Sequence, residues 1–177
     1  YEFMGKGNPP MMLDDWKGLR VRAGGGVGKA MEVIGATRMT TTATEVYTGM
    51  QRGTIDAASF PMTYSHVAYK IHEVSEWYTS NLSPGTSDCP AVFNKTAHDA
   101  LPAQYQKLLQ DIRPEVVDTQ VQAYIDIDKK NYPILDAKLK KVVYTDEQLD
   151  AFRAAAGKPV IDAWIKENED KFDAKGL

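Results

Sequence analysis

In the first third of the chain, apolar and polar residues alternate in short runs separated by glycine. Gly18-Leu19-Arg20-Val21-Arg22 sets Leu19 and Val21 on one side of an extended segment and Arg20 and Arg22 on the other. That is the two-residue period of a half-buried strand, and something polar must await the arginines. The chain leaves this strand through Ala23-Gly24-Gly25-Gly26 and then takes a helical pattern over residues 27–34, stopped at Gly35, a residue suited to a left-handed cap. Thr44 is placed to cap a second helix over 45–52, stopped at Gly53 in the same way. Residues 55–60 read as a short strand ended by Pro61, residues 62–74 as a helix, and Trp77-Tyr78-Thr79 as an aromatic strand.

A further strand is expected over 86–94, through Cys89-Pro90-Ala91-Val92-Phe93. The character then changes. Residues 104–132 favour a long polar helix with apolar positions from Leu108 to Ile127, and Pro114 inside it predicts a kink or a break. A short strand at 141–144 precedes two helices, 146–156 and 159–172, the second with Pro159 in its first turn. The whole predicts an α/β architecture: a mostly parallel short sheet, a long kinked helix and C-terminal helices.

Composition narrows the function. Of 177 residues, 21 are Lys or Arg and 24 are Asp or Glu, a formal charge of −3, which excludes a basic field for nucleic acid. No run approaches the roughly 20 apolar residues of a membrane-spanning helix. The single cysteine, Cys89, rules out an intrachain disulfide or a cysteine-built metal cluster and reads as a buried, inert thiol. The chain opens Tyr1-Glu2-Phe3-Met4 with no signal-peptide pattern, which reads as a processed or truncated piece.

The glycine loop Ala23-Gly24-Gly25-Gly26-Val27-Gly28-Lys29-Ala30 invites comparison with phosphate loops. Such a loop needs glycine at position 23 and serine or threonine at position 30, and both are alanine. The dinucleotide fingerprint fails too. What remains is either a tight turn or a small-anion site made of backbone N–H groups at a helix start. Arg22 lies just before the glycines, at the carboxyl end of the expected strand, where open α/β sheets place ligands. Its guanidinium can grip a carboxylate through two parallel hydrogen bonds; the alternative is a surface arginine paired with Glu45 or another acid.

Nothing assembles a catalytic team. No serine lies in a Gly-x-Ser-x-Gly elbow, and His66, His72 and His98 lack metal-ligand spacing, so each reads as a solvated or packing histidine. Tyr47, Phe60, Tyr64, Tyr69, Trp77 and Tyr78 are core candidates, but Phe60 and Tyr64 flank Pro61 at a strand-to-helix turn like the one presenting Arg22. One arginine fork with apolar or aromatic walls suits a small organic acid.

Several stretches together resemble the DctP-type substrate-binding proteins of tripartite ATP-independent periplasmic (TRAP) transporters. Asp15-Trp16-Lys17-Gly18-Leu19-Arg20-Val21-Arg22 is similar to the family's "DLKGLKIRV". Gly35-Ala36 followed by Glu45-Val46-Tyr47-Thr48-Gly49-Met50-Gln51-Arg52-Gly53-Thr54-Ile55-Asp56-Ala57 is similar to "GA…EVYTALQTGVIDG". His72 to Thr79 resembles "YEVAKYYT", and Asn94 with Leu101-Pro102 resembles "vNkk…wdsLP". The similarity runs from about position 9 to about 130.

The resemblance implies a two-lobed periplasmic protein, not an enzyme, that closes around a small organic acid, carboxylate or sulfonate, and delivers it to the membrane subunits of a TRAP permease. It implies that Arg22 binds the carboxylate, assisted by the backbone of Gly24 and Gly25, with Ser59, Phe60 and Tyr64 shaping selectivity and no cofactor. Phe60 stands where some relatives place an asparagine that helps bind sialic acid. Ser59 stands where others place a metal-holding glutamate, and a neutral hydroxyl is the poorer cation ligand. Residues 1–84 would belong to the second lobe, 85–125 to a crossover strand and long helix shared with the first, and 126–177 to the second lobe again; the N-terminal lobe would be missing. Two rivals make different predictions. A small α/β enzyme would bind a phosphorylated substrate at the Gly24–Gly28 loop, whereas a scaffold domain would seal Arg22 in an internal ion pair.

Overall fold

The structure, a computed structural model, describes residues 1–86 and 90–176. Six short strands, β1 (Glu2–Gly5), β2 (Arg20–Arg22), β3 (Thr37–Met39), β4 (Ala57–Phe60), β5 (Trp77–Thr79) and β6 (Lys140–Val142), form one sheet in the order β3-β2-β4-β1-β5-β6. The pairs β2·β3, β2·β4 and β5·β6 are parallel; β1 runs antiparallel to both its neighbours, β4 and β5. The expected α/β sheet is therefore present and mostly parallel, but its central strand is one the alternation does not reveal. All four residues of β1, Glu2 included, are buried, so there is no polar-out signal to read.

Each face of the sheet is covered by helices. On one, Phe3, Val21, Ala57 and Trp77 pack against Val27 and Met31 of α1 (Gly25–Val33) and Leu149 and Phe152 of α7 (Asp146–Phe152). On the other, Met4, Ala58, Phe60 and Tyr78 pack against Val46 and Met50 of α2 (Ala43–Gln51) and Leu135 of α6 (Arg113–Lys138). Burying each of the larger of these side chains, alanines apart, contributes about 1.5–3 kcal/mol, which is why such short strands persist. Gly35 and Gly53 take the left-handed conformation (φ 92° and 72°) and end α1 and α2 as expected.

Several boundaries differ from expectation. Thr42, not Thr44, occupies the start of α2, and its hydroxyl donates to Glu45 (2.6 Å). The helix expected over 62–74 is only α3 (Tyr64–Ala68) and a separate 3-10 turn (Ile71–Glu73), because Lys70 between them is left-handed (φ 58°). The long helix breaks where Pro114 requires, into α5 (Ala103–Asp111) and α6, following the short α4 (Lys95–Asp99). However, α6 continues through Pro133 to Lys138, because Asn131 and Leu135 are buried against the sheet, and that packing outweighs the lost backbone bond. A π-helical turn (Arg153–Gly157) links α7 to α8 (Lys158–Asn168), with Pro159 in the first turn of α8 as expected.

The strand expected over 86–94 is not formed among the described residues. Residues 90–94 have no neighbouring strand to satisfy their backbone groups, and Val92 and Phe93 are 83% and 61% exposed. Cys89 and Asp88 lie outside the described residues.

Candidate functional site

The two arginines of β2 meet different fates. Arg20 is matched to Asp56 at the foot of β4: its Nε and Nη2 donate to the two carboxylate oxygens at 2.9 and 2.5 Å, and its backbone N–H donates to the same group at 2.8 Å. Those hydrogen bonds hold the Asp56 carboxyl below its ordinary pKa. Arg20 therefore ties strand to strand.

Arg22, two residues on, meets no acid among the described residues. Its Nε donates to the carbonyl of Thr41 and its Nη1 to the carbonyl of Ser59, both at 3.1 Å. Its Cζ sits 4.3 Å from the centroid of the Phe60 ring, and Phe60 stacks in turn on Tyr69 (5.4 Å between ring centroids). Among the described residues no carboxylate lies within 4.0 Å of this guanidinium, and its remaining N–H donors have no protein acceptor. Burial lowers its pKa, and it stays charged because arginine starts so high. The surface pairing with Glu45 and the sealed internal ion pair are both excluded for the described residues.

Arg22 opens onto a cleft of about 430 Å³ whose walls include Gly24, Gly25 and Gly26 at the start of α1, Val27 within it, Tyr1, the 84–86 segment, and Val160 and Ile161 of α8. Gly25 has φ +49°, and side chains built on Gly24 or Gly25 would meet nothing within 4 Å, so backbone is bare to the cleft there. Gly28 has a different reason. A Cβ at that position would lie 2.5 Å from Arg38 Nε and 2.6 Å from the Ala23 carbonyl. The last glycine of the loop serves helix-to-strand packing, which removes it from any phosphate cradle.

The structure thus brings Arg22, Gly24 and Gly25 together and places Phe60 beneath the arginine as a buried platform. Ser59 contributes its carbonyl; its hydroxyl is buried with no hydrogen-bond partner among the described residues. Tyr64 is not part of this cleft: it is half exposed on α3, edge-on to Tyr124 of α6 (6.3 Å). Sequence reasoning missed Tyr1, Val160 and Ile161, which no motif marks. It also missed the adjoining cavity of about 450 Å³, which shares Tyr1 and Thr86 with the cleft and contains Glu2, Tyr124 and Tyr132. His66, read as packing or solvated, is fully buried and edge-on to Phe60 (5.5 Å). Its Nε2–H donates to the Glu2 carbonyl (3.0 Å), and burial pushes its pKa down to about 3. A further cavity, of about 490 Å³ under Trp16, Tyr144 and Phe152, has Asp14 and Asp15 on its rim and no cation, the wrong polarity for an acid.

An unpaired arginine at the carboxyl edge of an α/β sheet, above a largely apolar cleft, has the chemistry of a binding site for a small anion. The chain belongs to the bacterial extracellular solute-binding protein family 7, DctP, whose model matches residues 2–168. That family consists of binding proteins, not enzymes. A curated relative, the 2,3-diketo-L-gulonate-binding periplasmic protein YiaO of Escherichia coli K12, is 30% identical over 158 residues, covering 86% of this chain and 46% of its own length. Two solved structures share the fold. A TRAP periplasmic solute-binding protein from Marinobacter aquaeolei VT8, in an apo open form, superposes with TM-score 0.81 at 22% identity, covering 99% of this chain and 57% of its own. A TRAP solute-binding protein from Rhodoferax ferrireducens T118, in complex with copurified benzoate, gives 0.80 at 20% identity, covering 99% and 56%. The chain therefore spans about half the length of the relatives it matches.

Proposed function

We propose that this chain is the acid-anchoring part of a periplasmic TRAP solute-binding protein, which captures a small organic acid through Arg22 and delivers it to the membrane permease. The observation that carries this reading is the Arg22 guanidinium, fixed by two backbone carbonyls and the Phe60 ring, with free N–H donors over the cleft. Such a fork is pre-organised for a carboxylate, so little side-chain entropy is lost on binding. The bare backbone at Gly24 and Gly25 adds N–H groups at a helix start.

In this reading residues 1–84 and 126–177 form the second lobe, and 85–125 reach toward a first lobe supplied by the rest of the protein. Supporting it, α4 and α5 bury no residue, and the only buried residues of α6 are Asn131 and Leu135, near its C-terminal end. The relatives described above bind 2,3-diketo-L-gulonate in one case and benzoate in another, both organic acids.

Calorimetric titration of the full-length protein against an organic-acid panel tests the proposal. Saturable binding by at least one acid, weakened at least about 100-fold in Arg22→Ala, is expected from the loss of two charge-assisted hydrogen bonds. Equal binding by wild type and variant overturns it.

A further inference from the structure

We infer that the acid held at Arg22 is a monocarboxylate with an apolar, ring-bearing body, and that Glu2 is the residue that turns away a second carboxylate. This rests on the reading of Arg22 given above and adds the substrate class.

Among the described residues, Arg22 is the one charged side chain lining its cleft. The neighbouring cavity, which shares Tyr1 and Thr86 with it, is lined among the described residues by one charged side chain, Glu2, and it is negative. Glu2 is 4% exposed; its carboxylate accepts from the Thr79 hydroxyl (2.5 Å), the Ser83 N–H (2.9 Å) and the Ser83 hydroxyl (3.3 Å). Among the described residues no lysine or arginine pairs with it. Once one carboxylate is on Arg22, a second carboxylate on the same ligand finds no cationic side chain among the described residues of either cavity, and in the neighbouring cavity it meets Glu2. Away from bulk water that juxtaposition is strongly repulsive, and it discriminates by rejection.

The walls specify the rest of the ligand. Val27, Val160 and Ile161 line the cleft with Arg22, and Tyr124 and Tyr132 line the adjoining cavity with Glu2. Aliphatic and aromatic surfaces of this kind favour a ring, which keeps its apolar faces out of water and adds edge or stacking contacts with the tyrosines. Phe60 is occupied under the guanidinium, so it holds the arginine and does not itself contact the ring.

The test is calorimetric titration of the full-length protein with benzoate, hexanoate, phthalate and succinate; phthalate keeps the ring of benzoate and adds only the second carboxylate. Benzoate is expected to bind at least tenfold more tightly than phthalate or succinate, and at least threefold more tightly than hexanoate. In Glu2→Gln the gap between benzoate and phthalate is expected to narrow at least threefold. Phthalate or succinate matching benzoate in the wild type overturns the inference and leaves the role of Arg22 standing, and an unchanged gap in Glu2→Gln overturns the role of Glu2. If Glu2→Gln does not fold, Glu2→Ser is titrated in its place, with the same narrowing expected and an unchanged gap overturning the role of Glu2. Failure of every acid to bind, or binding indifferent to Arg22→Ala, instead overturns the proposal for Arg22 itself.

Discussion

The Arg22 guanidinium and the Phe60 ring are stacked 4.3 Å apart, centre to centroid, with Tyr69 beneath. A cation over an aromatic face at this distance is held electrostatically as well as by packing, with about 0.5–2 kcal/mol at stake. Phe60→Leu keeps an apolar side chain there and removes the ring face. Acid affinity is expected to fall roughly 3- to 30-fold, the binding equivalent of that energy, measured by calorimetry beside a melting curve showing that the variant is folded. Unchanged affinity would mean that the two backbone carbonyls alone position Arg22.

The glycine loop separates into residues with different duties. Gly28→Ala forces a Cβ against Arg38 and the Ala23 carbonyl, and a loss of about 1–3 kcal/mol in stability is expected. Gly24→Ala, with ordinary φ (−93°) and open space around it, is expected to leave stability within about 0.5 kcal/mol. Urea melts of the two variants check the contrast; equal losses would contradict it.

His66 sets a pH limit. Its folded pKa of about 3 lies below the ordinary value of 6.5, so between those values the unfolded chain binds a proton that the folded chain refuses. Stability contributed at this site is thus intact above pH 6.5 and falls as pH drops toward 3, by about 2 kcal/mol at pH 5. Comparing urea melts at pH 7 and pH 5, the acid-induced loss in His66→Gln is expected to be smaller than in wild type by about that amount. An identical loss in both would place the acid sensitivity elsewhere.

Asp128 on α6 accepts from both the N–H and the hydroxyl of Thr63 at 2.8 Å, tying the turn after β4 to the long helix. Thr63 is fully buried, so Asp128→Ala leaves its polar groups unpaired, and a loss of about 1–3 kcal/mol is expected in denaturant melts. A neutral substitution would show that water replaces the carboxylate.

The part of the candidate site legible in sequence is the part built from one short segment. Arg22, Gly24 and Gly25 follow one another along the chain, and the two-residue period of β2 put Arg20 and Arg22 on one face with polar partners awaiting them. Those partners, Asp56 for Arg20 and two carbonyls for Arg22, come from other strands and loops, and no local pattern names them. Tyr64 lies outside the Arg22 cleft because proximity to Pro61 in sequence says nothing about which side of the turn a helix presents. β1 stayed hidden because a strand buried on both faces has no alternation. The strand expected at 86–94 failed for the opposite reason: apolar β-formers such as Val92 and Phe93 make a strand only beside another strand. Pro133 shows tertiary packing overruling a local breaker.

The role of Arg22 is tested most directly by a structure of the full-length protein bound to an acid from the panel, with the distances from the ligand carboxylate to the Arg22 guanidinium measured. Two oxygens about 2.7–2.9 Å from two of its nitrogens is the expected result. An acid bound elsewhere, or bound in the cleft with Arg22 turned to a protein carboxylate, would contradict it.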